Sequence, residues 1–227
     1  MNAREQGLRR FVIAGIAGLF VTVTAALAGP LLICHAFDIG NAKSLPWVSR
    51  GWNLSGNENY DTSHLAGDTL AILDGSVKTT LLHMETLRRA TLYARKDPKA
   101  ARELLVKLTA RAQASERSPH PDALVIFDAG YLAETYKQWL GEGAQNPANG
   151  MDGYSIVKKV LSLSGNDAEM EFAAALITLR GPDGANQEHA RRALAGAKSD
   201  ELLARNLRTH FLGGESQTMA EMMSRKP

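Results

Sequence analysis

Residues 122–140, DALVIFDAGYLAETYKQWL, form the stretch of sequence that decides the fold. Its residue types favour a helix, and on that helix apolar and aromatic side chains point in almost every direction. A helix without a clean polar face must be covered by other elements on several sides. The sequence therefore predicts a helical body with residues 122–140 at its centre.

Helices are also predicted on both sides of this stretch, because start and stop signals recur along the chain. The clearest is Asp97-Pro98, an N-cap residue followed by proline at the first helical position. Apolar residues then recur at helical spacing, at Ala101, Leu104, Leu105, Leu108 and Ala112. Further helices are predicted at 62–73, from Ser76, at 152–163, from Asn166, at 186–196, at 200–212 with Ser199 as its cap, and at 216–224. The predicted fold class is all-α, either an irregular helical bundle or a stack of helical hairpins.

One of these hairpins, residues 77–116, faintly resembles a tetratricopeptide-type repeat through its Asp97-Pro98-x-x-Ala-Arg-x-Leu-Leu motif. The Trp, Leu-Gly and Tyr positions of that repeat are not filled, and no stable period of about 34 residues continues downstream. The resemblance implies a solenoid-like array, but the sequence favours an irregular bundle.

A hydrophobic leader precedes the body. Residues 11–34, FVIAGIAGLFVTVTAALAGPLLIC, carry no charge and follow Arg4, Arg9 and Arg10. This charge asymmetry predicts that the amino terminus stays in the cytoplasm while the rest crosses the membrane. The small-x-small pattern at 26–28 predicts a signal peptide cleaved after residue 28. Because the uncharged stretch is also long enough to span a bilayer, a retained membrane anchor is the alternative.

The net charge of +2 and the pI of about 8.7 come from this leader. Residues 1–28 hold three arginines and one glutamate, so the remainder of the chain has no net charge. A neutral body lacks the basic surface that phosphate backbones require, and nucleic-acid binding is disfavoured. The single cysteine, Cys34, excludes an internal disulfide. A c-type haem site would need a second cysteine before His35, and no cofactor is predicted.

Residues 35–61 show no sustained period and contain Gly, Asn, Ser and Pro among aromatic residues. We interpret them as an extended arm that lies over the body and is pinned to it by Phe37, Trp47 and Trp52. Long ordered loops are often functional, so a site is expected here first. The predicted organisation is a leader (1–28), the arm (35–61) and a helical domain (62–227) with a possible sub-boundary near 141–150.

The best candidates for catalysis are polar and early in the chain. His64 and Asp68 lie four residues apart, so on a helix they share one face. A histidine beside a carboxylate suits a general base or half of a metal site. His35 and Asp38 would join them if the arm folds back. The alternative is that Asp68 simply faces water and that His64 belongs to an ordinary first turn.

A weak calcium-loop pattern overlaps these residues. Five oxygen-bearing side chains match ligand positions 1, 3, 5, 7 and 12 of such a loop: Asn57, Asn59, Asp61, Ser63 and Asp68. The first is an uncharged Asn, Thr62 stands where glycine makes the turn, and the last is the short Asp. The alternative is a polar turn that caps the next helix.

Trp47, Trp52 and Tyr60 could form a stacking platform for a sugar or a peptide. Aromatic residues with a polar tip also fasten loops to cores, and the sequence favours that second role.

Asp128 lies within the central helix and is expected to be buried there. Its carboxylate would then be paired with an arginine such as Arg88 or Arg89, or have a shifted pKa that serves chemistry. The paired structural role is favoured.

Three functions follow from these observations. The usual catalytic signatures (G-x-S-x-G, G-x-x-x-x-G-K-S/T, H-E-x-x-H and paired C-x-x-C) are absent from the sequence, which leans against an enzyme. The leading hypothesis is an exported or membrane-anchored helical module that docks protein partners in the cell envelope. The first alternative is an exported small-ligand binder or hydrolase with its site under the arm. The second is a single-span subunit of a membrane complex that packs through residues 14, 18, 22 and 26.

Overall fold

A computed structural model describes residues 31–48, 54, 56–141, 143–179 and 185–211 of the 227-residue chain. Nine α-helices and one 3-10 turn, Thr62–His64, account for the regular structure in these ranges, and no strand occurs in them. The helices are α1 (Leu31–Cys34), α2 (Leu65–Leu73), α3 (Thr80–Ala94), α4 (Pro98–Glu116), α5 (Ala123–Leu140), α6 (Gly153–Leu163), α7 (Ala168–Thr178), α8 (Ala185–Gly196) and α9 (Glu201–Phe211). The all-α prediction is confirmed.

The start of α4 follows from its sequence as predicted. The carboxylate of Asp97 accepts the backbone N–H groups of Lys99 and Ala100, and Pro98 occupies the first turn. These contacts satisfy N–H groups that have no partner inside the helix.

The caps of three other helices lie one to three residues beyond the predicted ones, with Thr79 in place of Ser76, Asp167 in place of Asn166 and Asp200 in place of Ser199. In each case the next Thr or Asp along the chain supplies the cap. Thr79 accepts the N–H of Leu82, and Asp167 accepts that of Met170. Asn166 instead adopts a φ of 63°, a conformation in which it cannot begin the helix.

The centre of the bundle is shared between α5, as predicted, and α3, which the sequence did not single out. Every residue of α3 except Arg89 is buried, whereas α5 leaves several positions partly exposed. Because α3 packs against α1, α2, α5 and α7 as well as α4, it contacts helices that are not its sequence neighbours. This packing produces an irregular bundle.

Small residues allow the tightest helix contacts. A Cβ atom on Gly130 of α5 would lie 2.8 Å from the carbonyl oxygen of Gly153 on α6, and one on Gly153 would overlap the carbonyl of Gly130. Gly196 of α8 approaches the Ala168 methyl group of α7 in the same way. The pair α5–α6 is therefore packed backbone against backbone, and in the pair α7–α8 the backbone of Gly196 lies against the methyl group of Ala168.

The first described helix belongs to the core of the body. Leu32 and Ile33 of α1 are fully buried, and α1 packs against α3, α5 and α7. The last residues of the hydrophobic stretch 11–34 are therefore folded into the bundle. Residues 1–30, which hold the predicted cleavage site and anchor, lie outside the described residues, as does the helix predicted at 216–224. None of the described helices is long and apolar enough to cross a membrane.

Candidate functional site

The two halves of the predicted catalytic cluster contact different partners. Asp38 of the arm accepts a hydrogen bond of 2.8 Å from Arg205 of α9, and its backbone N–H and carbonyl both bond to the side chain of Asn206. His35 of the arm packs edge-on against His210 of the same helix, with ring centroids 5.6 Å apart. This half of the cluster therefore holds the arm against α9.

The other half lies at the start of α2. His64 is 3.6 Å from Asp61, and both side chains are largely exposed. Asp68 accepts a 2.8 Å hydrogen bond from the hydroxyl of Tyr60. No contact in the described part of the chain joins His64 or Asp68 to the arm residues at α9. The structure does not bring the four side chains together, and the described residues contain no group of three or more His, Cys, Asp or Glu placed to hold a metal ion.

The residues of the calcium-loop pattern stabilise turns. The side-chain oxygen of Asn57 accepts the N–H of Asn59 at 3.0 Å, and Asp61 accepts the N–H of Ser63 at 2.9 Å as the cap of the 3-10 turn. The bonds from Ser63 lower the pKa of Asp61. These oxygens accept backbone N–H groups, as expected for a polar turn that caps the next helix.

Two of the three candidate stacking residues fasten the arm. The ring of Trp47 packs edge-on against that of Tyr93 on α3, with ring centroids 5.9 Å apart. The ring centroid of Tyr60 lies 4.3 Å from that of Tyr93. Both rings are partly buried against the core. Trp52 lies outside the described residues.

Three charged residues of α3 bond to the backbone of the arm. We call this set, Glu85, Arg88 and Arg89, the arm clamp. Glu85 is fully buried, and its two carboxylate oxygens lie 3.3 Å from Arg88 Nε and 2.7 Å from Arg89 Nε. Glu85 also accepts the backbone N–H of Phe37 at 3.0 Å. A buried carboxylate is thereby paired on both oxygens and bonded to the arm.

The two arginines of the clamp bond to arm carbonyls. Arg88 donates to the carbonyl of His35 at 3.1 Å, and Arg89 donates to that of Leu45 at 2.7 Å. Both guanidinium groups also lie within 6 Å of the Trp47 ring centre. Burial lowers the pKa of Arg88, and the neighbouring Glu85 partly offsets this effect. The clamp therefore fixes the arm at three separate backbone positions.

Asp128 is buried as predicted, but its partner is not an arginine. Its Oδ1 lies 2.7 Å from Nδ1 of His83 on α3, and both side chains are 2% exposed. Arg88 and Arg89 belong to the clamp, so the predicted pairing with them is wrong. Burial raises the pKa of Asp128, and the hydrogen bond with His83 partly offsets this increase. The Nε2 atom of His83 is buried without a hydrogen-bond partner among the described residues.

A second histidine–carboxylate pair opens onto a cavity. Glu171 of α7 is fully buried, and its Oε2 lies 2.5 Å from Nδ1 of His189 on α8. The other ring nitrogen of His189 lies 2.8 Å from the hydroxyl of Tyr154 on α6. Three helices therefore supply one continuous chain of hydrogen bonds, from a buried carboxylate through an imidazole to a phenol.

The cavity beside this chain, which we call the α6–α8 groove, has a volume of about 350 Å³. His189, Tyr154, Lys158 and Arg192 all line it. Arg192 donates to the second oxygen of Glu171 at 3.2 Å. This volume is within the usual range for small-ligand pockets, which begins near 300 Å³. Of the polar clusters described, this one combines titratable groups with an accessible cavity.

The groove could not be predicted from the sequence because its members come from three helices. One signal was present: Glu171 is a single carboxylate inside MEFAAALI, which is otherwise apolar on every side. A charge in such a position must be paired with a basic group from another helix. The sequence does not say which basic group that is.

Comparison of the chain with known protein families, with curated proteins and with solved structures found no match.

Proposed function

We propose that this chain is an exported or membrane-anchored helical protein that acts as an interaction module in the cell envelope and docks protein partners there. The proposal rests on the leader sequence and on the way the body follows it. The observation that supports it best is the arm clamp. Leu32 and Ile33 are core residues, and the backbone of His35, Phe37 and Leu45 is bonded to charged side chains of α3.

The position of α1 in the core limits the distance between the leader and the body. If the leader is retained in the membrane, only residues 29 and 30 of the sequence separate it from α1. The body would then be held close to the membrane, where envelope partners can reach it. If the leader is cleaved after residue 28, the mature chain begins two residues before α1.

The alternative of a ligand site or hydrolase under the arm has less support. Its four side chains fall into two groups, with His35 and Asp38 at α9 and His64 and Asp68 at the start of α2. The alternative of a single-span subunit depends on residues 14, 18, 22 and 26, which lie outside the described residues, and it stays a prediction.

Two experiments on the native protein test the proposal. The mass of the intact protein, purified from envelope extract, separates a cleaved leader from a retained one. Recovery of the chain from the cytosol with its leader intact would contradict both export and membrane anchoring.

The second experiment tests docking. A photo-crosslinking amino acid is placed in turn at four exposed apolar positions on separate elements, Val48, Val77, Val106 and Leu163. The proposal predicts a discrete adduct with the same envelope protein from one or two of these positions in living cells. If none of the four positions gives a discrete adduct, a docking role is contradicted.

A further inference from the structure

The arm and the connection between α2 and α3 line a second cavity, which we call the arm groove. Residues 41–43 of the arm and residues 75–77 of the connection line it, together with Ile72 of α2 and Leu82 of α3. Its volume is about 330 Å³, which is within the usual range for ligand pockets.

Contacts within the body hold both sides of the arm groove. On the arm, the N–H of Ala42 bonds to the carbonyl of Ile39 at 3.2 Å, and the clamp fixes the chain before and after this turn. On the connection, Nζ of Lys78 donates to the carbonyl of Leu73 at 2.9 Å, which ties the segment to the end of α2. A groove held in this way loses little conformational entropy when a partner binds.

The connection between α2 and α3 has backbone groups that the body does not use. In the described part of the chain, no hydrogen bond involves the backbone N–H or carbonyl of Ser76, Val77 or Lys78. The next residue, Thr79, has extended backbone angles, with φ of −105° and ψ of 141°. Unused donors and acceptors along an exposed segment can pair with the backbone of an added strand. The connection therefore offers a short edge to an extended peptide.

The side chains of the arm groove combine apolar surface with one positive charge. Val77 is 45% exposed. Lys43 is the only charged residue among those that line the groove, and no carboxylate of the described residues lies within ion-pair distance of it. Asp74, which precedes the connection, is paired with Arg111 of α4. An acidic side chain on a bound peptide would complement Lys43.

We propose that the arm groove is the place where the module docks its partner, and that it binds an extended segment of that protein with an acidic residue in it. The backbone of the segment pairs with residues 76–78, its apolar side chains contact Val77, and its carboxylate pairs with Lys43. This inference rests on the proposed function and specifies the chemistry of the partner. A helical segment would not pair in this way, because its backbone groups are bonded to one another.

A random nonapeptide library displayed on phage supplies the probes. The library is panned against the full chain, and the enriched peptides are synthesised for affinity measurements. The expected peptides have apolar residues at alternate positions and one Asp or Glu, and their binding shifts the amide NMR signals of residues 76–78. Enrichment of no peptide, of basic peptides, or of peptides with apolar residues at helical spacing would overturn the proposal.

Methylation of the amides of an enriched peptide tests the backbone pairing. Only alternate N–H groups of a strand point toward a given neighbour. N-methyl groups at one set of alternate positions should therefore abolish binding, and N-methyl groups at the other set should leave it unchanged. Equal losses for the two sets would contradict strand pairing.

Two exposed lysines provide a matched pair of variants. Lys43→Glu should weaken peptide binding at least about tenfold, because an attractive contact becomes a repulsive one. Lys96→Glu makes the same change of charge just after the other end of α3, at a lysine that also has no carboxylate partner among the described residues. This control should leave binding unchanged. Equal effects of the two variants would show that general attraction by charge, and not the groove, is responsible.

The crosslinking experiment separates a failure of this inference from a failure of the proposed function. Val77 lines the arm groove, whereas Val106 and Leu163 lie on α4 and α6. A discrete adduct from Val77 in envelope extract, suppressed by an enriched peptide, is the expected result. Adducts from Val106 or Leu163 without one from Val77 would overturn the arm groove as the docking site and leave the docking role in place.

Discussion

Glu85 on α3 accepts the backbone N–H of Phe37 on the arm at 3.0 Å, in a position where the carboxylate is fully buried. A helix and an irregular segment that lie 48 residues apart in sequence are thus joined by a charged group inside the core. Because a buried carboxylate needs compensation, the same group also holds Arg88 and Arg89. The clamp therefore couples the stability of the body to the position of the arm.

Removing the charge of Glu85 should destabilise the whole protein. Glu85→Gln leaves two arginines at the core without their counter-charge, and we expect a loss of about 3 kcal/mol in the free energy of unfolding. The measurement is urea denaturation followed by circular dichroism.

The matched control is Glu103→Gln on α4, which also removes a carboxylate from an i, i+4 pair, here with Lys107. That pair lies in solvent, so the denaturation midpoint should hardly move. Equal midpoints for the two variants would show that the clamp adds no stability.

The His83–Asp128 pair should show strong coupling in a double-mutant cycle. Each single alanine variant leaves one buried polar group without its partner, so the double variant should lose less than the sum of the two single losses. We expect a coupling energy of about 1–3 kcal/mol. The exposed pair His64 and Asp61 serves as the control and should show no measurable coupling. Additive losses at His83 and Asp128 would contradict the pairing.

Glu169 at the junction of α7 and α3 should make the protein less stable as the pH rises. Burial raises the pKa of Glu169 to about 7, although its carboxylate accepts the N–H of Leu81. Since the pKa is higher in the folded state than in the unfolded chain, this contribution is fully present below about pH 4.5 and is lost as the pH rises to about 7. Glu169→Gln should remove this loss, as read from urea denaturation at half-unit pH steps. The exposed Glu58→Gln is the control, and an unchanged profile for Glu169→Gln would refute the assignment.

His210 on α9 should act in the opposite direction. Burial lowers the pKa of His210 to about 4, and its ring stacks on Phe37 with centroids 4.6 Å apart. The unfolded chain takes up the proton first, so stability is lost as the pH falls from about 6.5 to about 4.

His210→Phe keeps a flat ring against Phe37 and should remove this acid-side loss. The measurement is the thermal midpoint as a function of pH, with the exposed His120→Gln as the control. Because Glu169 and His210 have opposite signs in overlapping ranges, each single variant should reveal the slope of the other. A wild-type slope that survives in both variants would show that other groups govern the profile.

The fold could be predicted from the sequence where local signals are strong. Asp97-Pro98 marks the start of α4, and the apolar residues of 122–140 identify one of the two central helices. A helix from Ser76 was predicted, but its central position was not, because α3 carries His83, Glu85 and Arg88. These charges resemble a solvent-facing side, and only the folded arm and Asp128 show that they are buried.

The candidate sites could be predicted only in part. Burial of Asp128 follows from its own helix, but its partner His83 lies 45 residues away, and the sequence has no spacing rule for such a contact. The hydrogen-bond chain at the α6–α8 groove joins residues 154, 171 and 189 on three helices. It could not be predicted either, because no sequence spacing links these three positions. Phe37, Trp47 and Tyr60 contact the body as the sequence predicts, and Trp52 lies outside the described residues. The charges that fix the arm were not predicted.

The contacts of the clamp make the arm a fixed part of the body from His35 to Leu45. Hydrogen exchange of the Phe37 amide, measured by NMR on the full chain, tests it most directly. If the clamp holds as described, this amide should exchange as slowly as the core amides of α3, at a rate set by global unfolding. Exchange at the rate of an unstructured peptide, while the α3 amides remain protected, would contradict the claim.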